Sequence, residues 1–351
     1  ERPDRQRAGL HRFQTSFDAR PTPMPTLHPR QALFDAAEAA AAALPVCDHY
    51  AGVEARMKKS LELQAEMGPV FDVTLDNEDG APVGGEVEQA QLIAELLAGP
   101  LNRHGRVGVR LLPVSHPRFD DVASIVLRSP RAPAYLMLPK PQGLADVQRA
   151  AQHVDALGGA AIPLHALVET HGALHEVFAI AAHPRIESLS FGLMDFVSAH
   201  RGAIPLSAMG AAGQFDHPLV VRAKLEIAAA CHAQAKVPSH CVVTEFKDTE
   251  ALQAAAEMAS RLLGYTRMWS IHPAQIRPIV DAFAPTTAEV DLAIEIITAA
   301  QAADWAPIRH RDTLHDRASY RYFWQVIERA HRTSFQGGPH LPAELRQAWF
   351  P

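Results

Sequence analysis

Apolar runs of strand length recur along the chain at 45–50, 69–76, 106–112, 133–138, 162–168, 186–192, 236–244 and 266–271. Between them the apolar positions switch to a helical period, as in EVEQAQLIAELLAG and in GLADVQRAAQHVDALGG, the second closed by Gly158 and Gly159. Strands that alternate with helices pair in parallel, because each helix returns the chain to the same edge of the sheet. Eight such units predict an α/β fold, a (β/α)8 TIM barrel. A doubly wound sheet is the alternative. It calls for a glycine-rich first turn, and neither GxGxxG nor a P-loop occurs.

The pattern divides the chain into an N-terminal arm over 1–40, a barrel over 41–303 and a C-terminal helical extension over 304–351. The arm is rich in Arg and Pro, has no apolar centre and carries Glu1, Asp4 and Asp18. It is expected to be mobile or to contact another subunit rather than to act as a targeting peptide. A helix is expected from about Gln31 to Ala43. Thr286 and Glu289 have capping-box spacing and open a helix with Val290, Ala293, Ile294 and Ile297 on one face. Beyond Trp305 the text becomes polar, aromatic and rich in His and Arg. Its helices are expected to cover the barrel mouth or a neighbouring subunit.

Composition narrows the function classes. The 351 residues are 48% hydrophobic and carry a formal net charge of -6, without the basic footprint of a nucleic-acid surface. No apolar run approaches the ~20 residues of a membrane-spanning helix. Cys47, Cys231 and Cys241 are odd in number and lack metal-ligand spacing, which points to a reducing, cytoplasmic setting. Small-molecule chemistry is the remaining expectation.

That chemistry belongs at the strand ends, since barrel active sites form on the C-terminal face. The second run ends in Asp76, Asn77, Glu78 and Asp79, the third carries Arg110, the fourth Lys140, the fifth Glu169, the sixth Asp195 and the eighth His272. Taken singly, Arg110 has a structural reading as the partner of Glu78 or Asp79, Lys140 as a cap and His272 as a rim histidine. Their shared position at one rim favours function. Glu169 and Asp195 are joined by one helical segment with Leu174, Val177, Phe178 and Ala181 on a face, forming a βαβ unit. Two carboxylates side by side can share a hard cation and leave positions for water and substrate, so Mg2+ is the expected cofactor. No HExxH spacing suggests zinc. Asp48, His49 and Tyr50 close the first run and are expected to face the mouth as substrate or catalytic contacts, with His171 at the same level and His116 below them.

Six motifs occur in the right order for a known family: VTLDNEDGAP, VGVRLLP, LMLPK, LVETHGALHEVFAIAA, LSFGLMDF and IHPAQI. Over roughly Pro69 to Ala303 the chain resembles the citrate lyase β-subunit / malyl-coenzyme A lyase family of the HpcH/HpaI aldolase superfamily. The resemblance implies that Glu169 and Asp195 hold magnesium and that Arg110 holds a substrate carboxylate or enolate oxygen. It also implies that Glu78 and Asp79 hold metal waters and orient Arg110, and that Gly192 lets backbone approach the ligand. Lys140, Asp48 and His49 are added as substrate contacts. The implied activity is magnesium-dependent cleavage or formation of a carbon–carbon bond in a 2-hydroxy or 2-oxo acid or its CoA thioester, through a metal-stabilised enolate. A pyruvate-type aldolase on free 2-oxo acids and a catalytically silent metal-binding barrel are the alternatives. Relatives are commonly trimeric or hexameric, which implies a homo-oligomer. The chain departs from the family in Val237-Pro238-Ser239-His240-Cys241, where the catalytic Asp position is Cys241. His240, Glu245 and Asp248 are the alternative bases.

Overall fold

The computed structural model describes residues 27–36, 43–80, 82–334 and 341–351. Most of the expected arm, and the end of the helix expected over Gln31–Ala43, lie outside the described residues; Pro29–Leu33 is helical.

Eight parallel strands close into a barrel in sequence order. They are β1 (Cys47–Ala51), β2 (Phe71–Asp76), β3 (Val107–Arg110), β4 (Leu136–Leu138), β5 (Leu164–Val168), β6 (Ile186–Phe191), β7 (Val237–His240) and β8 (Arg267–Ser270). Each of the eight expected runs coincides with a strand shorter than itself, with β1 reaching one residue past its run to Ala51. Closure leaves no edge to protect, since β1 pairs with both β2 and β8. Outward side chains such as Val73, Leu75, Val109 and Leu189 join the apolar faces of the surrounding helices in one core.

Period-2 alternation sends the other side chains into the barrel. Deep inside, fully buried Arg267 pairs with Asp72 at 2.6 Å and Asp48 at 3.1 Å, and Arg106 closes on Asp72 from below at 2.7 Å. Tyr135 stacks on His165 with ring centres 4.0 Å apart and donates its hydroxyl to Asp48. Above this polar layer lies an apolar one of Met137, Leu167 and Trp269, flanked by Tyr50. The rim above it carries the site.

Three expectations are corrected. The single helix between β5 and β6 is broken into His171–His175 and Val177–Ala182, with Glu176 between them at φ -103°, ψ 16°. The break turns Phe178 outward, leaving it 51% exposed. Asp195 is not a strand end: β6 stops at Phe191 and Asp195 stands in the first turn of the helix Leu193–Ser198.

The third correction concerns the extension. Its helix Arg317–Thr333 buries Tyr320, Trp324, Ile327 and Ala330 against Val290, Ala293 and Ile297 of the helix Thr287–Ala302, with Leu33 of the N-terminal helix in the same cluster. Its opposite side lines a cavity with Val46, Lys236, Val237 and Thr266, which lie at the N-terminal ends of β1, β7 and β8. The extension therefore covers the bottom of the barrel, away from the mouth.

Candidate active site

Asp76, the last inward residue of β2, organises the rim. Arg110 at the end of β3 donates Nε–H to Asp76 Oδ1 at 2.6 Å and Nη2–H to Oδ2 at 3.0 Å. The Tyr50 hydroxyl and the backbone N–H groups of Glu78 and Gly80 also donate to this carboxylate. Five donors on one buried anion fix the turn after β2 and the position of Arg110 together. A methyl group on Gly80 would stand 2.4 Å from Asp76 Oδ2 and 2.6 Å from the Gly52 backbone, so the turn needs glycine there.

Arg110 spends most of its donors on protein. Nη2 also donates to Tyr50 Oη at 2.7 Å, and Nη1 lies 3.2 Å from Glu78 Oε2. Of its five N–H groups one remains for a ligand. The bidentate fork expected to grip substrate is closed on Asp76. Burial alone would push the guanidinium pKa down, but the Asp76 hydrogen bonds and the charges of Asp76, Glu78 and Asp79 outweigh it and hold the pKa above its ordinary value.

Lys140, just after β4, ties three elements together. Its φ of 52° lies in the left-handed region that residues other than glycine seldom adopt. In that conformation its backbone N–H donates to Glu169 Oε1 at 2.7 Å, while its ammonium donates to Glu78 Oε1 at 2.5 Å and Asp79 Oδ1 at 3.2 Å. The same ammonium is 3.8 Å from Asp195 Oδ1. These carboxylates raise the lysine pKa against the opposing pull of burial.

Glu169 follows β5 and is 3% exposed. Burial first, and then the charge of Asp195, push its pKa up to about 7. Its Oε2 faces Gly192, where a methyl group would meet that oxygen at 2.2 Å and Glu169 Cβ at 2.5 Å. Glycine is therefore a condition for the position of Glu169. Burial also raises the pKa of Glu78, opposed by Arg110 and Lys140. Five carboxylates (Asp76, Glu78, Asp79, Glu169 and Asp195) thus face two cations, leaving excess negative charge at the rim when all are ionised.

That donor set fits a hard divalent cation. Among the described residues no donor reaches Glu169 Oε2, and Asp195 meets only the distant Lys140 ammonium. Oxygen ligands suit magnesium, which commonly keeps several waters and takes only one or two carboxylates. No group of three or more His, Cys, Asp or Glu among the described residues stands in metal-holding geometry.

Other expected residues lie apart. Asp48 is 1% exposed and bound to Arg267, Tyr135 and Thr74 in the deep polar layer. His49 points through the outer wall of the barrel to Ser270 Oγ at 2.6 Å, and burial lowers its pKa to about 4. His171 rests on Phe196 and His200, His116 accepts from the Arg118 N–H, and His272 caps the helix Pro273–Phe283. Just after β7, Cys241 is 1% exposed and donates to Gln214 Oε1 at 3.1 Å. His240 stacks on Phe215 on the outer wall, where burial keeps its pKa well below the usual range. Glu245 accepts from the Ala211 N–H and Asp248 caps the helix Thr249–Glu257.

Asp76 acquires an importance that the sequence reading had not assigned to it, and Tyr50, expected at the mouth as a substrate or catalytic contact, stands hydrogen-bonded to Asp76 and Arg110. The available signal was alternation: Asp48 and Tyr50 share the inward face of β1, and Asp72, Thr74 and Asp76 that of β2, while His49 falls on the other side.

The chain superposes on a crystal structure of a citrate lyase from Burkholderia xenovorans LB400 with a TM-score of 0.78 and 53% identity, covering 92% of this chain and 100% of that one. The chain belongs to the citrate lyase family. No family model matches it. The L-malyl-CoA/β-methylmalyl-CoA lyase of Rhodobacter capsulatus is 26% identical over 233 residues, 60% of this chain and 72% of that protein. The protein CitE of Mycobacterium tuberculosis, solved in complex with magnesium, acetoacetate and coenzyme A, shares the fold at a TM-score of 0.63 and 21% identity over 83% of this chain and 99% of that one. This citrate lyase family member thus stands among carbon–carbon lyases.

Proposed function

We propose that the protein is a magnesium-dependent carbon–carbon lyase acting on a 2-hydroxy or 2-oxo acid carried as a CoA thioester. The observation that supports this most is the pairing of Glu169 and Asp195 across Gly192, within a rim whose carboxylates outnumber its cations. The names of the relatives, citrate lyase, malyl-CoA lyase and a protein solved with coenzyme A, favour the thioester over the free acid.

Glu169 and Asp195 would hold the cation, whose Lewis acidity lowers the cost of negative charge on a substrate oxygen. Around it the protein orients and screens. The one free N–H of Arg110 donates toward the same developing charge from a group already fixed by Asp76 and Tyr50, so little reorganisation accompanies the reaction. Lys140 holds Glu78 and Asp79 in place and engages Glu169 Oε1, so Oε2 is the oxygen that would meet the cation. Glu78, in contact with both Arg110 and Lys140, would orient water beside the metal. The seventh-strand position that carries Asp in the resembling lyases is closed here, because Cys241 is buried against Gln214.

Calorimetric titration with Mg2+ tests the site. The native protein should bind saturably, and the pair Glu169→Gln with Asp195→Asn should lose binding while keeping its far-UV spectrum. Undiminished binding in a folded double variant would remove these two residues from the metal site.

A further inference from the structure

We propose that the cavity beneath the barrel is a second ligand site, one that takes a soluble di- or oligophosphate. The cavity has a volume of about 450 Å³, within the range of small-molecule sites. It lies between the N-terminal strand ends and the helix Arg317–Thr333, on the face of the barrel opposite the acidic rim.

The lining is strongly cationic. Arg30, Lys236, Arg321, Arg329 and Arg332 converge on it from three separate parts of the chain, and the acidic side chain among the lining residues is Glu328, which pairs with Arg30 at 3.6 Å. Arg329 and Arg332 are the telling members. Both are partly buried, both have an Nε that is out of water and without a hydrogen-bond partner, and neither forms an ion pair with any described residue. Burial holds both guanidinium groups below the ordinary arginine range, with Glu328 and Glu289 acting on them only at a distance. Lys236 is likewise lowered by burial.

The Nε–H groups of Arg329 and Arg332 are withdrawn from water without a partner, which costs free energy that a bound anion would offset. Packing alone does not require them here, since the apolar side of the same helix is already held on the helix Thr287–Ala302 through Trp324 and Ile327. Several guanidinium groups around one concavity match the multiple oxygens of phosphate groups, which each planar fork can engage in pairs. A single carboxylate would leave most of the charge uncompensated. Two or more linked phosphates satisfy it better. The site does not depend on the lyase reading, because its residues come from the opposite end of the barrel.

Calorimetric titration with inorganic pyrophosphate, at fixed ionic strength and without divalent metal, tests the proposal on the whole chain. The native protein should bind saturably, and Arg329→Gln with Arg332→Gln should weaken binding at least tenfold while leaving Mg2+ binding at the rim unchanged. Should that pair fail to fold, Lys236→Gln, which alters the barrel wall and not the helix, should weaken binding several-fold. Absence of saturable binding to the native protein, or undiminished binding in the folded variants, would overturn it.

Discussion

At the residue scale, Gly192 carries more of the site than its lack of a side chain suggests. The hydrogen in place of a methyl group lets Glu169 lie against the backbone beside Asp195. Gly192→Ala should reduce Mg2+ affinity ~10–100-fold, the usual cost of disturbing a group that orients a ligand, with the helical spectrum preserved. Unchanged affinity on titration would show that Glu169 does not need this position. His49 illustrates the opposite outcome, a polar residue near the site that serves the wall. Its folded pKa of about 4 lies below the ordinary 6.5. Above pH 6.5 it is neutral in both states and costs nothing. As the pH falls through 6.5 toward 4 the unfolded chain takes up the proton first, so stability is lost, on the order of 3 kcal/mol for this group. Urea unfolding between pH 4 and 7 should therefore show a shallower loss in His49→Gln than in the native protein. Parallel curves would contradict the assignment.

At the scale of elements, the strands together build a polar layer, an apolar layer and a rim, with different strands supplying different layers. That order explains why some strand-end readings hold their place and others do not. Arg110, Lys140, Glu169 and the Glu78–Asp79 turn were legible because each terminates an apolar run and so falls at the rim. Asp48 was not, because it sits three residues before the end of β1, and only the strand register shows it facing Arg267. Asp195 reached the rim by another route, through a turn at Gly192 and one turn of helix that apolar content alone could not distinguish from strand. The broken helix between β5 and β6 was hidden for a related reason: its apolar period continues unbroken through Glu176. The interior layer has its own test. Arg267→Met would strand Asp48 in the barrel without its cation, and should destabilise the protein by about 3–5 kcal/mol in urea unfolding. A change within about 1 kcal/mol would mean that the layer is not held by this ion pair.

At the scale of the whole molecule, the barrel separates two charged ends. The mouth is acidic and fits a divalent cation, and the covered bottom is cationic around a cavity. Eight alternating units made the barrel readable from the text, whereas the docking side of the extension depended on an aromatic stripe that any apolar surface would accept. The most direct test of the central claim is turnover of malyl-, citramalyl- and citryl-type CoA thioesters, beside free 4-hydroxy-2-oxo acids, with Mg2+ and after chelation. Cleavage of a thioester at the carbon–carbon bond that stops on chelation and returns with Mg2+ is the predicted result. Failure to cleave any thioester, or cleavage indifferent to chelation, would contradict it.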